Sequence, residues 1–182
     1  MIKPAHTHST TRDPATGRIK VEHGDTAQIT GSEFQVAQFS TASALPQVME
    51  IVAPEPIDIT DIEMTVNVGG VNVSIFDASG GSPGGAFTPI DATTTNIREL
   101  KAPSFTVGTG GTFTPSGNPI RPPMSVGAGT GSGTGNVLSN TARQSRRISL
   151  PAGTYYAVVS LLAGVTSFTG NLVLTISEVI DS

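Results

Sequence analysis

Residues 62–76 read Ile-Glu-Met-Thr-Val-Asn-Val-Gly-Gly-Val-Asn-Val-Ser-Ile-Phe, and this stretch decides the fold. Apolar and polar residues alternate on both sides of the glycine pair, which is the period of a β-strand with one buried face. Glycine tolerates the positive φ of a tight two-residue loop, so the pattern predicts a hairpin. The predicted register places Val68 opposite Val71, Val66 opposite Val73, and Met64 opposite Ile75, all facing the core. The other face pairs Asn67 with Asn72, Thr65 with Ser74, and Glu63 with Phe76.

The composition of the 182-residue chain is typical of many short strands joined by turns. It has 21 glycines and 13 prolines, and 13% of its residues are charged, about half the usual fraction. A chain of this length buries roughly 70% of its unfolded surface, which is enough for a core without covalent cross-links. The absence of cysteine excludes disulfides, thiolate metal sites and thiol redox chemistry.

Charge and hydropathy exclude several functional classes. The net charge of −4 argues against a general nucleic-acid-binding protein, which normally has a basic face. No apolar run reaches 18 residues, so we expect no transmembrane helix. The first residues lack the apolar segment of a secretory signal. We therefore expect a protein made in a cytoplasm that binds neither nucleic acid nor membrane.

Residues 1–31 are predicted to form an extended N-terminal arm. They hold all three histidines and four of the ten basic residues, and their apolar residues follow no sustained period. Within the arm, residues 13–17 (Asp-Pro-Ala-Thr-Gly) read as a turn. Such an arm orders on a partner at an entropic cost but covers a large surface. The arm residues predicted to contact a partner are Lys3, His6, His8, Arg12, Arg18 and Lys20.

Residues 32–182 are predicted to form an all-β domain, an antiparallel β-sandwich resembling a jelly roll, with seven to nine strands. Phe34, Val36 and, after a slip of phase, Phe39 indicate the first strand. Residues 154–163 are apolar on both faces and predict a central strand. The other predicted strands are residues 48–52, 86–90 (an edge strand), 105–107, 112–114 and 172–180, and residues 147–150 lead into a predicted turn at residues 151–153. Residues 77–85 are predicted as a loop, 96–102 as a helical turn and 127–136 as a flexible glycine-rich loop.

Candidate metal and phosphate sites are weak in this sequence. His6 and His8 with His23 offer imidazole ligands, but no carboxylate or further histidine lies at ligand spacing. Asp58, Asp61 and Glu63 lack the spacing of a calcium loop and are interpreted as solvent-facing acids at a strand end. Residues 127–135 precede neither a Gly-Lys-Ser/Thr motif nor a helix, which excludes a phosphate loop. We predict no metal and no cofactor.

Arg143, Arg146 and Arg147 form the densest basic cluster in the chain. They are interpreted either as a contact for an acidic partner or phosphate, or as the solvated flank of a strand. No Ser/His/Asp triad can be built, because every histidine lies on the arm, and no acidic pair is singled out for glycosidase chemistry. The chain is therefore not predicted to be an enzyme.

Two further segments carry a resemblance to a known family. Residues 31–34 (Gly-Ser-Glu-Phe) open the β region, a Gly/Thr-rich middle follows, and residues 150–156 (Leu-Pro-Ala-Gly-Thr-Tyr-Tyr) lead the closing strands. Together, residues 31–181 resemble small virion structural proteins of tailed bacteriophages, of the capsid-decoration (cement) or head-fibre kind. The resemblance implies a non-enzymatic homotrimer on the capsid surface of the virion, bound to the major capsid protein.

The alternative function is a tail- or fibre-associated module that binds host glycan. Sugar-binding modules generally use exposed aromatic rings, and this chain has no tryptophan and two tyrosines, both in the predicted central strand. Phe105 and Phe113 are therefore the predicted aromatic platform of that alternative.

Overall fold

A computed structural model describes residues 10–12, 19–21, 33–40, 46–94, 102–127, 140–144 and 147–178. These residues confirm the all-β prediction, because they contain sixteen strands, a three-residue 3₁₀ helix (Ala78–Gly80) and no α-helix. The predicted count of seven to nine is too low, since several additional strands have only two to four residues, too few for an alternating pattern to be read. The predicted helical turn (except Ala102) and glycine-rich loop (except Gly127) lie outside the described residues.

The strands in chain order are β1 (Thr10–Arg12), β2 (Ile19–Val21), β3 (Glu33–Ser40), β4 (Gln47–Ala53), β5 (Ile57–Val68), β6 (Gly70–Asp77), β7 (Gly81–Gly84), β8 (Thr88–Ile90), β9 (Thr93–Thr94), β10 (Thr106–Thr109), β11 (Thr112–Pro115), β12 (Met124–Gly127), β13 (Asn140–Gln144), β14 (Ile148–Leu150), β15 (Gly153–Leu161) and β16 (Thr169–Glu178). Sheet I has the order β12-β6-β15-β4-β10-β8, and sheet II has the order β13-β5-β16-β3-β9, with β14 also paired to β5. Two small sheets, β1-β2 and β7-β11, stand apart from them.

The connectivity of the two main sheets is that of a jelly roll. The successive strands β3 and β4, β5 and β6, β12 and β13, and β15 and β16 lie in opposite sheets. With the inserted strands β7 to β11 set aside, and with β13 and β14 counted as one interrupted strand along β5, each sheet has four antiparallel strands. These eight strands interleave as two Greek keys. The predicted sandwich is confirmed, and its order places β5 and β16, which carry the candidate site, at the centre of sheet II.

The predicted hairpin at residues 62–76 is wrong, because β5 and β6 belong to different sheets. β5 pairs with β13, β14 and β16, whereas β6 pairs with β12 and β15. Gly69, with φ +84°, forms an arch that carries the chain across the core. Alternation specifies which side chains face the core, and it does so equally for strands paired side by side and for strands facing each other.

The prediction of which side chains in this stretch face the core is nevertheless correct, except at the turn. The buried residues are Ile62, Met64, Val66, Val71, Val73 and Ile75. Val68, at the arch, is 49% exposed. Phe76, which the hairpin register placed opposite a glutamate, is buried in a second apolar cluster on the other face of sheet I.

Strand β5 is irregular in a way that matters for the candidate site. Its pairing with β16 skips Thr60, because Thr175 is opposite Asp61 and Ile176 is opposite Ile59. This β-bulge shifts the side-chain alternation by one residue. Asp58 and Asp61 therefore both lie on the outer face of sheet II. On its other side, β16 pairs with β3 residue by residue, so the slip of phase predicted before Phe39 is absent.

The second cluster explains why β15 is apolar on both faces, as predicted. Tyr156 and Val158 of β15 lie on the outer face of sheet I, where the β7-β11 sheet covers them. The ring of Phe113 on β11 stacks on Tyr156 with centroids 4.4 Å apart. The predicted loop at residues 77–85 is thus wrong in part, because it contains the 3₁₀ helix and β7. Its four glycines and one proline are typical of a loop, but β7 within it packs Gly81 against the Phe113 ring.

Replacing Gly81 by alanine is expected to lower the free energy of unfolding by about 2 kcal/mol. A Cβ at this position would lie 2.5 Å from Phe113 Cζ and 2.5 Å from the Thr114 carbonyl oxygen. Gly127→Ala is the matched control, since its Cβ would meet no atom closer than 4.0 Å, and its effect is expected within about 0.5 kcal/mol. Urea unfolding of both variants measures the difference, and equal stabilities would contradict this packing.

Candidate functional site

The candidate site is the outer surface of sheet II around five buried polar residues, and it is called the polar face. These residues are Glu33, Asp58, Asp61, Thr175 and Ser177. Ile59 and Ile176 face the core, so their chain neighbours Asp58 and Ser177 lie on the opposite side of the sheet. Ser177 is paired with Glu33 on one side and with Asp58 on the other, and Thr175 is paired with Asp61. The strand register thus brings together Glu33, from the first strand of the two main sheets, and Ser177, from the last strand.

Two arginines bind the aspartates of the polar face. Arg143 Nε donates to Asp61 Oδ2 at 2.6 Å, and Arg147 Nη2 donates to Asp58 Oδ2. Both arginine side chains are exposed, whereas Asp58 is only 1% exposed. The interpretation of Asp58 and Asp61 as solvent-facing acids is therefore wrong. Their arginines lie far along the chain, Arg143 in β13 and Arg147 immediately before β14, so no local pattern indicated the ion pairs.

Opposing effects act on the Asp58 carboxyl. Burial raises its pKa, but hydrogen bonds from Arg147 and Ser149, together with the positive charge of Arg147, lower the pKa by more. The net result is a pKa below the ordinary value of 3.8. Asp58 is therefore ionised at neutral pH and cannot act there as a proton donor. Asp58 therefore provides a fixed negative charge that is ion-paired with an arginine, rather than a group for acid–base catalysis.

Asp58→Asn is expected to remove part of the acid sensitivity of the fold. Because folding lowers the pKa of Asp58, its ionised form stabilises the native state above about pH 4. This contribution is lost as the pH falls through the depressed folded-state pKa. Urea unfolding of both proteins between about pH 6 and pH 2.5 is expected to show a shallower decline for the variant. Parallel pH profiles of the two proteins would contradict the lowered pKa of Asp58.

The polar face also contains buried oxygen atoms without a hydrogen-bond donor. They are Asp58 Oδ1, Asp61 Oδ1 and Ser177 Oγ. A buried acceptor without a donor is costly, so such atoms are normally completed by a ligand, a water or another chain segment. Within the part of the chain that the structure describes, no group of three His, Asp or Glu side chains could hold a metal ion. In each aspartate, the other carboxylate oxygen accepts a hydrogen bond from an arginine.

The predicted partner-binding residues fall into three groups. Arg143 and Arg147 form the ion pairs of the polar face. Arg12 and Lys20 lie in the β1-β2 sheet, where Arg12 is opposite Ile19 and Lys20 is opposite Thr11. Their role in binding stays a prediction. Outside the described residues lie Lys3, His6, His8, Arg18 and Arg146, together with His23 of the metal interpretation. Glu33, Thr175 and Ser177 were not predicted as site residues, because only strand pairing brings them beside the aspartates.

The predicted aromatic platform for sugar is wrong. Phe105 is 1% exposed and lies in the main core, edge-on to Phe34 with centroids 5.5 Å apart. Phe113 is 4% exposed in the second cluster. The glycines that follow Phe105 and precede Phe113, Gly108 and Gly111, lie against Phe87, and the glycine that lies against Phe113 is Gly81 of β7.

The comparisons with known proteins add no relative. No protein-family model matches the chain. Neither a curated protein nor a solved structure matches it. Among the described residues, no helix has the length and apolar character needed to cross a membrane.

Proposed function

We propose that this chain is a non-enzymatic virion structural protein that decorates and stabilises the outer surface of a phage capsid. Its partner is the major capsid protein, and it binds the shell as a homo-oligomer, in our proposal a trimer. The observation that carries the proposal is the separation of β1 and β2 from the main sheets. The remaining support comes from the resemblance of residues 31–181 to decoration and head-fibre proteins.

The β1-β2 sheet is a small two-stranded ribbon, which needs a second surface to pack against in order to be stable. Each strand has three residues, and the two pair with each other and with no other described strand. A two-stranded sheet of this size is marginal in water without a surface to pack against. Arg12 and Lys20 give it positive charge, so an acidic surface is the complementary partner. A capsid lattice offers such a surface in many copies, which multiplies weak contacts into high occupancy.

The architecture is compatible with this proposal and weakens its main competitor. Jelly rolls occur in viral capsid proteins and in lectins, and the fold alone does not choose between them. The lectin alternative depended on Phe105 and Phe113 as exposed rings, and both are buried. A buried ring cannot stack on a sugar without unfolding its surroundings. We therefore favour the structural role over the glycan-binding one.

Deleting residues 1–31 is expected to abolish binding to empty capsids while leaving the sandwich folded. β3, the first strand of either main sheet, begins at Glu33, so the deletion removes no strand of sheets I and II. Co-sedimentation with expanded capsids measures binding, and circular dichroism with urea unfolding checks the fold. Full-length Arg12→Ser/Lys20→Ser is the matched variant, and its binding should weaken. A folded deletion variant that pellets like the full chain would overturn the role of the arm.

A further inference from the structure

We propose that two copies of this chain pair side by side through an open edge of β3, residues 36–40, so that sheet II continues from one copy into the next. The two β3 strands run antiparallel about a two-fold axis that passes beside Gln38. The pairing concerns the free protein and does not depend on the proposed function. It is a contact between copies in addition to those of the proposed trimer.

Most of β3 has a neighbouring strand on one side only. β16 pairs with β3 along its whole length, from Glu33 to Ser40. On the other side, β9 pairs with Phe34 and Gln35 alone. No other described strand pairs with residues 36–40 on that side. The backbone N–H and C=O groups that point away from β16 in this stretch therefore form an open edge, which is a template for a further strand.

The other edges of the two main sheets carry features that hinder strand pairing. β8 has three residues, and one of them is Pro89, which lacks a backbone N–H. β12 has four residues and directly follows Pro122 and Pro123. Arg143 in β13 and Arg147 beside β14 are exposed at the remaining edge. Short strands, prolines and charged side chains are the means by which proteins protect sheet edges from other chains.

Residues 36–40 lack proline and charge, and their sequence is compatible with self-pairing. The stretch reads Val-Ala-Gln-Phe-Ser. A two-fold axis at Gln38 places Val36 opposite Ser40 of the second copy, and no like charges meet along the contact. The open stretch is bounded by β9 at one end and by the end of β3 at the other, so the two strands fill it without overlapping β9. Such a contact uses the same surface in both copies.

Gln38 gives a reason for the partner to be a second copy rather than an unrelated strand. Phe34 and Val36 face the main core, so Gln38 lies on the same side of β3, where it is half-buried. Its Oε1 has no hydrogen-bond donor. Gln38 of the second copy lies directly opposite and carries N–H donors. The terminal torsion of glutamine is broad, so both amides can turn toward the axis and bind each other reciprocally.

Sedimentation equilibrium of the full chain over a concentration series tests the pairing. At high concentration we expect a mass twice that of the Ala37→Lys variant. Ala37 is exposed on the outer face of β3, and the Ala37 positions of the two copies lie diagonally across the axis, so two lysines repel each other there. Ala37→Glu should likewise prevent pairing. An equimolar mixture of the two variants should recover the doubled mass, because opposite charges then meet.

Val52→Lys is the matched control, and circular dichroism checks the fold of each variant. Val52 is 40% exposed on the outer face of sheet I, so this variant gains the same charge away from β3 and should keep the doubled mass. A wild-type chain that keeps the mass of Ala37→Lys up to about 1 mM would overturn the pairing. A doubled mass that both folded Ala37 variants retain, or a mixture that stays at the single mass, would also overturn it.

Hydrogen exchange locates the contact in the wild-type chain and replaces the variants if they fail to fold. Backbone amides that pair with a second copy exchange more slowly as the paired fraction rises. We expect this slowing in residues 36–40, and not in β8 or β12, over the concentrations at which the mass doubles. Exchange in residues 36–40 that does not change with concentration would contradict the pairing. Neither experiment contains capsids, so failure of the pairing leaves the decoration proposal standing, and failure of capsid binding leaves the pairing standing.

Discussion

Gly69→Ala is expected to lower the free energy of unfolding by about 3 kcal/mol or more. Gly69 turns the chain from sheet II into sheet I with φ +84°, a conformation that costs energy for any residue with a Cβ. An added Cβ would also lie 2.2 Å from the Ser167 carbonyl oxygen and 3.1 Å from Val165 Cγ1. The backbone oxygen cannot move without disturbing the loop between β15 and β16.

Gly164→Ala separates the conformational cost of a Cβ at positive φ from the cost of the steric clash at Gly69. Gly164 has φ +82°, but an added Cβ would meet no atom within 4 Å. Its substitution should therefore show only the conformational cost, about 1 kcal/mol. Urea unfolding of the two variants measures the difference. Equal destabilisation would mean that the arch at Gly69 is not packed against the β15–β16 loop as described.

Phe105→Ala is expected to destabilise the protein by about 3–5 kcal/mol. The Phe105 ring is fully within the main core and meets the Phe34 ring edge-on, an arrangement that adds to the value of its buried area. Truncation leaves a cavity between the sheets. Thermal or urea unfolding of the variant measures the loss.

Ile120→Ala is the control for a large apolar side chain outside the core. Ile120 is 39% exposed, and its substitution should change stability by less than about 1 kcal/mol. An exposed platform at Phe105 would behave like Ile120. A Phe105→Ala variant of wild-type stability would therefore contradict the core assignment and revive the glycan-binding alternative.

The sequence predicted which side chains face the core better than it predicted their neighbours. Alternation around Gly69 correctly selected Met64, Val66, Val73 and Ile75, because a buried face requires that period in any sheet arrangement. It could not distinguish a hairpin from an arch, since both satisfy the same alternation. That choice depends on β16, which pairs with β5, and on β15, which pairs with β6.

The candidate site was harder to predict for the same reason. The acids at residues 58 and 61 were visible in the sequence, but the spacing of three residues predicts opposite faces of a regular strand. Only the bulge at Thr60 places both on the outer face. Their partners are distant in sequence, Arg143 in β13 and Arg147 just before β14, so no local pattern indicated these ion pairs. Long-range strand pairing, rather than local propensity, determines what surrounds each group.

Co-sedimentation of the purified full chain with expanded empty capsids from its own source tests the central proposal most directly. The proposed role requires saturable pelleting with a fixed number of copies per shell, because identical lattice sites fill to a limit. A matched sample without capsids, centrifuged in parallel, excludes self-aggregation. Saturation at a fixed stoichiometry is the predicted result. Absence of pelleting at concentrations that would occupy every lattice site would contradict the decoration role.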